Sequence, residues 1–328
     1  MKKNIFFYII FLFFGFNVIA SELVRPLKIH LFSDANGKGL DKDRDVLIEE
    51  LTALNCTVEW FEHKDYGKIS FADINIFIQH INVKYINTAS LNWFIPNPEW
   101  YTQHVNLLNS MDLILCKTHE VERIFKEMEY STQFLGFTTP DRYKSKIKKI
   151  FPLCLHVAGS SEQKGTSTIK NTWLNHEEFP HLSIVKQIEK QLTTKNLNVI
   201  NYWLTDEKLI ELQNMCPVHI CTSETEGFGH SIMEAMSVGA VVLTTNAPPM
   251  NEFIEDKRFL VNFSRFSYQG FAINYYVDQK ELEKNIRLLQ KFSKTELEAI
   301  GLSNRNRYLE KTNEFKFNLQ QLLETARY

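Results

Sequence analysis

Short apolar runs recur along the chain, separated by amphipathic or polar stretches. LKIHLF at 27–32 has the pattern of a strand buried on both faces. A turn containing Gly37 and Gly39 follows, and residues 41–54 repeat Val46, Leu47, Leu51 and Leu54 at helical spacing. Strand-like runs come next at 57–61, 74–79 and 111–116, then a helical stretch at 120–127 and a last strand at 133–136. The alternation then restarts. Residues 154–158, 181–186, 198–202, 218–222 and 240–244 read as strands, and 167–174, 206–214 and 231–238 as helices.

Strands alternating with helices predict parallel, doubly wound sheets. The expectation is an α/β protein with Rossmann-like domains over 26–150 and 151–290 facing a cleft, and C-terminal helices over 291–328. The polar, lysine-rich residues 141–149 form the expected boundary. Ser293-Lys294-Thr295-Glu296 and Asp278-Gln279-Lys280-Glu281 have the spacing of helix capping boxes. Ligands of such sheets bind beyond the carboxyl ends of the strands.

The first residues follow a different rule. Lys2 and Lys3 precede an apolar run from Ile5 to Ala20 that closes on small residues. That is the make-up of a secretory signal peptide, or an uncleaved signal anchor, over residues 1–20, with cleavage expected after Ala20. Export or membrane anchoring through the N-terminus, into a secretory lumen or periplasm, is the expected location. Cys56, Cys116, Cys154, Cys216 and Cys221 fall mostly in strand-like runs without metal-knuckle spacing, and are expected as small buried hydrophobes.

Composition narrows the function classes. The 328 residues suit two domains, and 44% hydrophobic with 23% charged residues exclude a disordered or collagen-like chain. A net charge of −2 gives no basic excess, so no nucleic-acid partner is expected. Asp41, Asp43 and Asp45 alternate as in a calcium loop, but Val46 and Thr52 stand where glycine and glutamate are needed. No P-loop, HExxH or G-x-S-x-G segment is present. No metal and no resident cofactor are expected.

The segment richest in chemistry is 218–252, VHICTSETEGFGHSIMEAMSVGAVVLTTNAPPMNE. A buried strand ends near Thr222, Glu226-Gly227-Phe228-Gly229 forms a loop, and a helix opens near His230 and carries Glu234. Glycines let the backbone approach a ligand closely. A helix opening presents free N–H groups and a positive dipole end to phosphate. Glu226, before the helix, could hold sugar hydroxyls, and Glu234, a turn inside it, could accept from both ribose hydroxyls.

Glu226-Gly-Phe-Gly-His-Ser-Ile-Met-Glu234, followed by Ala235-Met236, resembles the E-x7-E motif of retaining glycosyltransferases of family 4, the glycosyl transferases group 1. The resemblance implies the GT-B fold over 27–328, with its specific motifs in 152–252. It implies that Glu226 contacts the donor sugar, that Glu234 contacts the ribose, and that Gly227, Phe228, Gly229, His230 and Ser231 belong to the donor site. HVAGSSEQKG at 156–165 is similar to the family segment that grips the donor diphosphate. Lys164 matches its second cation and joins Glu226 in the catalytic set. The first cation has no counterpart, its place falling at Ser160 or Ser161. Pro248–Glu252 falls where the family has another donor-side loop, here without its glycine pair.

In the first domain the resemblance brings Gly37, Gly39 and His80 near the donor. Asn97, Glu99, Trp100 and Lys117, at strand ends facing the cleft, are acceptor-side candidates. The implied activity is metal-independent transfer, with retention, of a sugar from a nucleotide-diphosphate donor to a glycan, lipid or protein acceptor. The nucleotide-sugar is a co-substrate. The departing phosphate oxygen takes the acceptor proton. Two alternatives stay open: a non-catalytic carbohydrate- or nucleotide-binding GT-B protein, and a GT-B sugar-nucleotide epimerase.

Overall fold

The computed structural model describes residues 25–327 apart from 38, 63, 66 and 188, so the leader expected over 1–20 lies outside the described residues. The first half runs β1 (Leu27–Phe32), α1 (Gly39–Ala53), β2 (Cys56–Phe61), β3 (Ala72–Ile78), β4 (Ala89–Ile95), β5 (Leu113–Cys116), α2 (His119–Glu127) and β6 (Thr132–Phe134). Its strands form one parallel six-stranded sheet in the order β2-β1-β3-β4-β5-β6. Phe32, Phe77 and Phe94 lie in register across β1, β3 and β4, and the first two rings stack at 4.8 Å. All three are fully buried.

The second half runs β7 (Cys154–Gly159), α3 (Thr166–Leu174), β8 (Leu182–Lys186), β9 (Leu197–Ile200), α4 (Asp206–Met215), β10 (Val218–Cys221), α5 (His230–Ser237), β11 (Val241–Thr245), β12 (Leu260–Val261), β13 (Phe263–Gln269), β14 (Ala272–Val277), α6 (Gln279–Leu289) and α7 (Lys294–Thr325). A second parallel six-stranded sheet has the order β12-β11-β10-β7-β8-β9, and β13 and β14 form a separate antiparallel hairpin. The α/β architecture of two doubly wound sheets agrees with the pattern. β4, the two-residue β12 and the β13–β14 hairpin were not read from the pattern. β4 was hidden because Asn92 interrupts its apolar run; inside the sheet Asn92 Oδ1 accepts from the buried Asn75 at 3.0 Å. The hairpin was hidden because β13 is largely exposed and lacks an apolar alternation.

Local chemistry sets the helix ends. Thr118 caps α2 by accepting from the Val121 N–H, and Glu120 and Glu122 sit in its first turn. Ser293 and Glu296 form the expected capping box on α7. At α6 only half of the expected box forms. Asp278 accepts from Lys280 and Glu281, but the Glu281 carboxylate turns to Asn262 at 2.8 Å. All five cysteines are free and buried, as expected for small core residues.

The 32-residue α7 begins in the second domain and ends on the first. Tyr308 donates to the Thr139 carbonyl at 2.8 Å, Asn318 to the Leu135 carbonyl at 3.2 Å, and Thr312 meets Thr138 at 2.6 Å. Phe315, fully buried, packs on Phe137 with ring centroids 5.0 Å apart. One apolar cluster therefore runs from Ile29 and Leu47 through Phe137 and Phe228 to Ile232 and Leu243. Among the described residues no helix is long and apolar enough to cross a membrane.

Candidate active site

The carboxyl ends of the two sheets face one another across a cavity of about 500 Å³. One wall comes from the first domain: Gly39 and Asp43 on α1, Gln79 after β3, Asn97, Glu99 and Trp100 after β4, and Lys117 after β5. The other comes from the loops after β7 and β10, residues 160–164 and 225–230. Another cavity, of about 430 Å³, lies at the amino ends of the second sheet. Its wall is mainly apolar, with Phe179, Ile286, Leu289, Phe292 and Leu297, so the convergent polar chemistry is in the cleft.

A buried charge chain organises the first wall. Lys117 Nζ donates to Asp43 Oδ2 and to Asn97 Oδ1, both at 2.7 Å, and Asn97 Nδ2 donates to Gln79 at 3.0 Å. His230 Nε2, from the second wall, meets Asp43 Oδ1 at 2.9 Å. Burial works against charge on Asp43, but Lys117 and His230 outweigh it and lower its pKa. Glu99, on the same wall, has weaker support, chiefly a bond from its own backbone N–H. Burial raises its carboxyl to about 7, against the lesser pull of Lys117 and Lys164.

The second wall is shaped by its glycines. Gly229 opens α5 at φ +119°, a conformation that favours glycine, with Phe253 3.3 Å from where a Cβ would stand. At Gly227 a Cβ would fall 2.1 Å from Asn97 Oδ1 and 3.1 Å from Glu99 Oε1, so the loop after Glu226 lies directly against the first wall. Glu226 accepts from Lys164 Nζ and, at 2.6 Å, from Ser223 Oγ. Below this loop His156 is buried, its Nδ1 2.7 Å from the Ile220 carbonyl and its Nε2 2.9 Å from Thr166 Oγ1. Burial, with Lys164 and Lys186 nearby, pushes it down to about 4, so it is a neutral tie between β10 and α3.

Of the residues singled out in the sequence, Gly39, Asn97, Glu99, Trp100, Lys117, Ser160, Lys164, Glu226, Gly227, Phe228, Gly229 and His230 are brought together on this cavity. Gly37, His80, Ser231 and Glu234 lie off its wall. Gly37 donates its N–H to Asp41 at 2.6 Å, and His80 stands 3.3 Å from Asp34. Glu234 is 2% exposed. Gln213 bonds one of its oxygens at 2.8 Å; Arg142, at 3.3 Å, and Lys42 bond the other. Burial disfavours its charge, but Lys42, Arg142 and the bonds from Lys42 and Gln213 prevail and hold the carboxyl down at about 2.

Several polar atoms at this end of the second sheet are buried without a hydrogen-bond partner among the described residues: Ser160 Oγ, Thr222 Oγ1, His230 Nδ1 and Ser231 Oγ. Unsatisfied groups of this kind cost about 1–3 kcal/mol each, and of the four residues Ser160 and His230 line the cavity, where a polar ligand could meet them. No group of three or more His, Cys, Asp or Glu side chains is placed to hold a metal ion among the described residues.

Sequence reasoning passed over Asp43, met only in the calcium-loop pattern that Val46 and Thr52 rule out. A signal was present. Leu40, Asp43, Val46 and Leu47 share one helical face, so a carboxylate stands on the stripe that faces the core. Arg142, inside the polar boundary stretch, and Gln213 gave no such signal. Glu252 was noted only as part of a loop. Its two oxygens accept from the backbone N–H groups of His119 and Glu120, both at 2.8 Å, joining the second domain to the opening of α2 in the first.

Residues 178–307 match the family described as Glycosyl transferases group 1. No curated protein matches the chain. Among solved structures, sucrose-phosphate synthase from Thermosynechococcus elongatus has a TM-score of 0.69 at 11% identity, covering 91% of this chain and 98% of that one. A trehalose-6-phosphate structure from E. coli bound with UDP-2-fluoro glucose has a TM-score of 0.64 at 10% identity, covering 92% of this chain and 99% of that one. The pneumococcal O-GlcNAc transferase GtfA in complex with UDP and GlcNAc has a TM-score of 0.57 at 15% identity over 77% of this chain. The chain spans 57% of that relative's length. These likenesses show the fold, two facing Rossmann-like domains of the GT-B type. The family match falls within the second of these two domains.

Proposed function

We propose that the protein is a retaining glycosyltransferase that moves a sugar from a nucleotide-diphosphate donor to a hydroxyl of a glycan, lipid or protein acceptor. The observation that carries the reading is Glu226 and Lys164 together beside the opening of α5, on a cavity between two Rossmann-like sheets. In this reading the N–H groups at the opening of α5, with Lys164, meet the charge that develops on the leaving diphosphate. Glu226 orients the sugar. The Ser160 hydroxyl, on the cavity wall, has a bond to give to the donor. No metal ion is needed for these roles. A nucleotide-sugar partner is supported by relatives of the same fold bound to UDP-2-fluoro glucose and to UDP with GlcNAc. Residues 1–20 would deliver the domains to a secretory lumen or periplasm, or anchor them to its membrane.

A binding protein without turnover is favoured by one observation. The loop after β7 brings a single lysine to the cavity wall, and Lys164 is bonded to Glu226.

The test is a thermal-shift panel of the full chain with UDP, GDP, ADP and CMP. A ligand at about 100 times its Kd adds roughly 2.7 kcal/mol of stability. One nucleotide is expected to raise Tm and to name the donor base. Glu226→Ala is expected to keep that shift and to abolish sugar transfer. No shift with any nucleotide would sink the reading, and a shift without turnover of any nucleotide-sugar would favour the binding protein.

A further inference from the structure

The first-domain wall of the cavity offers a ligand amides and a ring. Gln79 follows β3, Asn97 and Trp100 belong to the turn after β4, and all three line the cavity. Asn97 accepts from Lys117 at 2.7 Å and donates to Gln79 Oε1 at 3.0 Å. The Gln79 amide nitrogen lies outside that chain. Trp100 is half exposed, whereas Leu40 and Phe228, the other large apolar side chains on the cavity, are buried. The indole is therefore the main apolar surface within a ligand's reach.

The turn that carries the indole is fixed from behind by the β13–β14 hairpin. Gln269 donates to the Glu99 carbonyl at 3.1 Å, and the Phe271 N–H to the Pro98 carbonyl at 3.0 Å. A Cβ on Gly270 would fall 2.5 Å from the Pro98 carbonyl, so the tip of the hairpin lies directly on the turn. The Phe271 ring stacks on Tyr101, next in the chain to Trp100, with centroids 5.3 Å apart. A ring presented from backbone held in this way loses little freedom when a ligand packs on it.

Charge is the second constraint. Four carboxyl groups, of Asp43, Glu99, Glu162 and Glu226, line the cavity against two lysines, and no arginine does. Lys117 is buried and holds Asp43 at 2.7 Å. Lys164 holds Glu226, and His230 is taken up by Asp43. Glu162 is matched by Lys186, at 3.0 Å, from outside the wall. Once a donor diphosphate draws on Lys164 and the opening of α5, these residues leave no cation for a second anion. A phosphate brought against the first-domain wall would meet Asp43 and Glu99 with its own charge unmatched, which is strongly unfavourable.

We propose that the acceptor is an uncharged sugar, its ring packed on Trp100 and its hydroxyls bonded to Gln79 and Asn97. The assignment rests on the glycosyltransferase reading and narrows its acceptor from glycan, lipid or protein to a neutral saccharide. A hydroxyl donates and accepts, and so does a side-chain amide, so the two satisfy each other without charge. The C–H face of a sugar ring is apolar and suits the indole, while its polar edge suits the amides. Sugar phosphates and phospholipid headgroups are disfavoured by the charge of the wall. A lipid tail finds no groove there, because Leu40 and Phe228 belong to the core.

The test uses the full chain with UDP-glucose, UDP-N-acetylglucosamine, GDP-mannose and ADP-glucose as donors. Nucleotide release is measured above the rate in water alone. The acceptors are glucose, galactose, N-acetylglucosamine, maltose, lactose and chitobiose, each paired with its phosphate monoester, together with dioleoylglycerol in detergent micelles and a serine-containing peptide. At least one uncharged sugar is expected to raise release, with a kcat/KM at least about tenfold above that of its phosphate. Equal use of monosaccharides and disaccharides would assign a free sugar, preference for the disaccharides a glycan chain, and either supports the proposal. Trp100→Ala is expected to raise the acceptor KM about tenfold, with kcat and donor KM changed by less than about twofold, and Trp100→Phe to keep most of the affinity.

A sugar phosphate used as well as its parent sugar would overturn the proposal. So would transfer to the diacylglycerol or the peptide alone, donor hydrolysis that no acceptor raises, or an acceptor KM in Trp100→Ala within about twofold of wild type. Each of these leaves the transferase reading standing. Loss of the nucleotide thermal shift in Trp100→Ala would overturn it in favour of a structural role. A wild type that binds nucleotide but turns over none of the donors would overturn it in favour of the binding protein. A wild type that does neither would remove the transferase reading and the assignment together.

Discussion

His230 of the second domain meets Asp43 of the first at 2.9 Å, and the other oxygen of the same carboxylate holds the buried Lys117. One side chain on α1 thereby satisfies a lysine of its own domain and links both walls of the cleft. Replacing Asp43 with Asn keeps the shape but leaves the Lys117 charge without its counter-charge. Removing one partner of a buried pair costs about 3–5 kcal/mol. Asp43→Asn is expected to lower stability by about that amount in urea unfolding, and Asp43→Asn with Lys117→Met by less.

Glu234 gives a pH signature. Its folded pKa, about 2, lies below the ordinary glutamate value of 4.5. Its contribution is therefore complete above the ordinary value and is lost as pH falls through about 4.5 towards about 2. Glu234→Gln is expected to shrink the acid dependence of Tm across that window, and to lower Tm at neutral pH because Arg142 and Lys42 lose their carboxylate. An unchanged acid limb would show that Glu234 carries no such charge.

The buried His156 works in a neighbouring window. Its pKa is depressed to about 4, so the neutral ring belongs to the folded state. Stability from keeping it neutral is complete above the ordinary histidine value of 6.5 and falls as pH drops through that value towards about 4. His156→Gln is expected to flatten the Tm profile between those limits, measured by thermal denaturation at a series of pH values.

Two glycines separate fold from closure. At Gly165, φ is +67° and a Cβ would sit 2.4 Å from the Thr222 carbonyl, so Gly165→Ala must move backbone. It is expected to lower global stability by more than 1 kcal/mol or so. At Gly227 the obstructing atoms are the side-chain ends of Asn97 and Glu99 in the other domain. Gly227→Ala is expected to keep Tm close to wild type and to enlarge the radius of gyration in small-angle scattering, with turnover reduced more than nucleotide binding.

Glu252 is expected to report on the same junction from another side. It caps α2 across the domain boundary, and loss of a cap costs about 0.5–2 kcal/mol. Glu252→Ala is expected to lower Tm modestly and raise hydrogen exchange at the His119 and Glu120 amides. Full protection of those amides would remove Glu252 from any part in holding the domains together.

Much of this molecule was legible because its signals are local. A parallel strand buried on both faces is a continuous apolar run, so β1, β7 and β10 stand out in the chain. The glycine loop before α5 and its two glutamates form one unbroken segment. What was missed is carried by distant partners. Asn92 looks wrong for a strand until Asn75 stands beside it. Arg142 reads as boundary polarity until Glu234 and Asp206 stand beside it. Glu234 reads as an open ligand because the sequence does not reveal that Lys42, 192 positions away, lies on it. The hairpin is polar outside because its role is to bridge two domains, not to fill a core.

The long closing helix has a consequence for synthesis. The chain is made from its N-terminus, so the first sheet is complete long before residues 308–318 exist. Yet Leu135, Phe137, Thr138 and Thr139, at the end of the first domain, find their partners in Asn318, Phe315, Thr312 and Tyr308. Until the ribosome has released α7, Phe137 lacks its aromatic neighbour there and the Thr139 carbonyl its donor. The first domain cannot finish its own surface, and the two halves reach their final packing only once α7 has emerged.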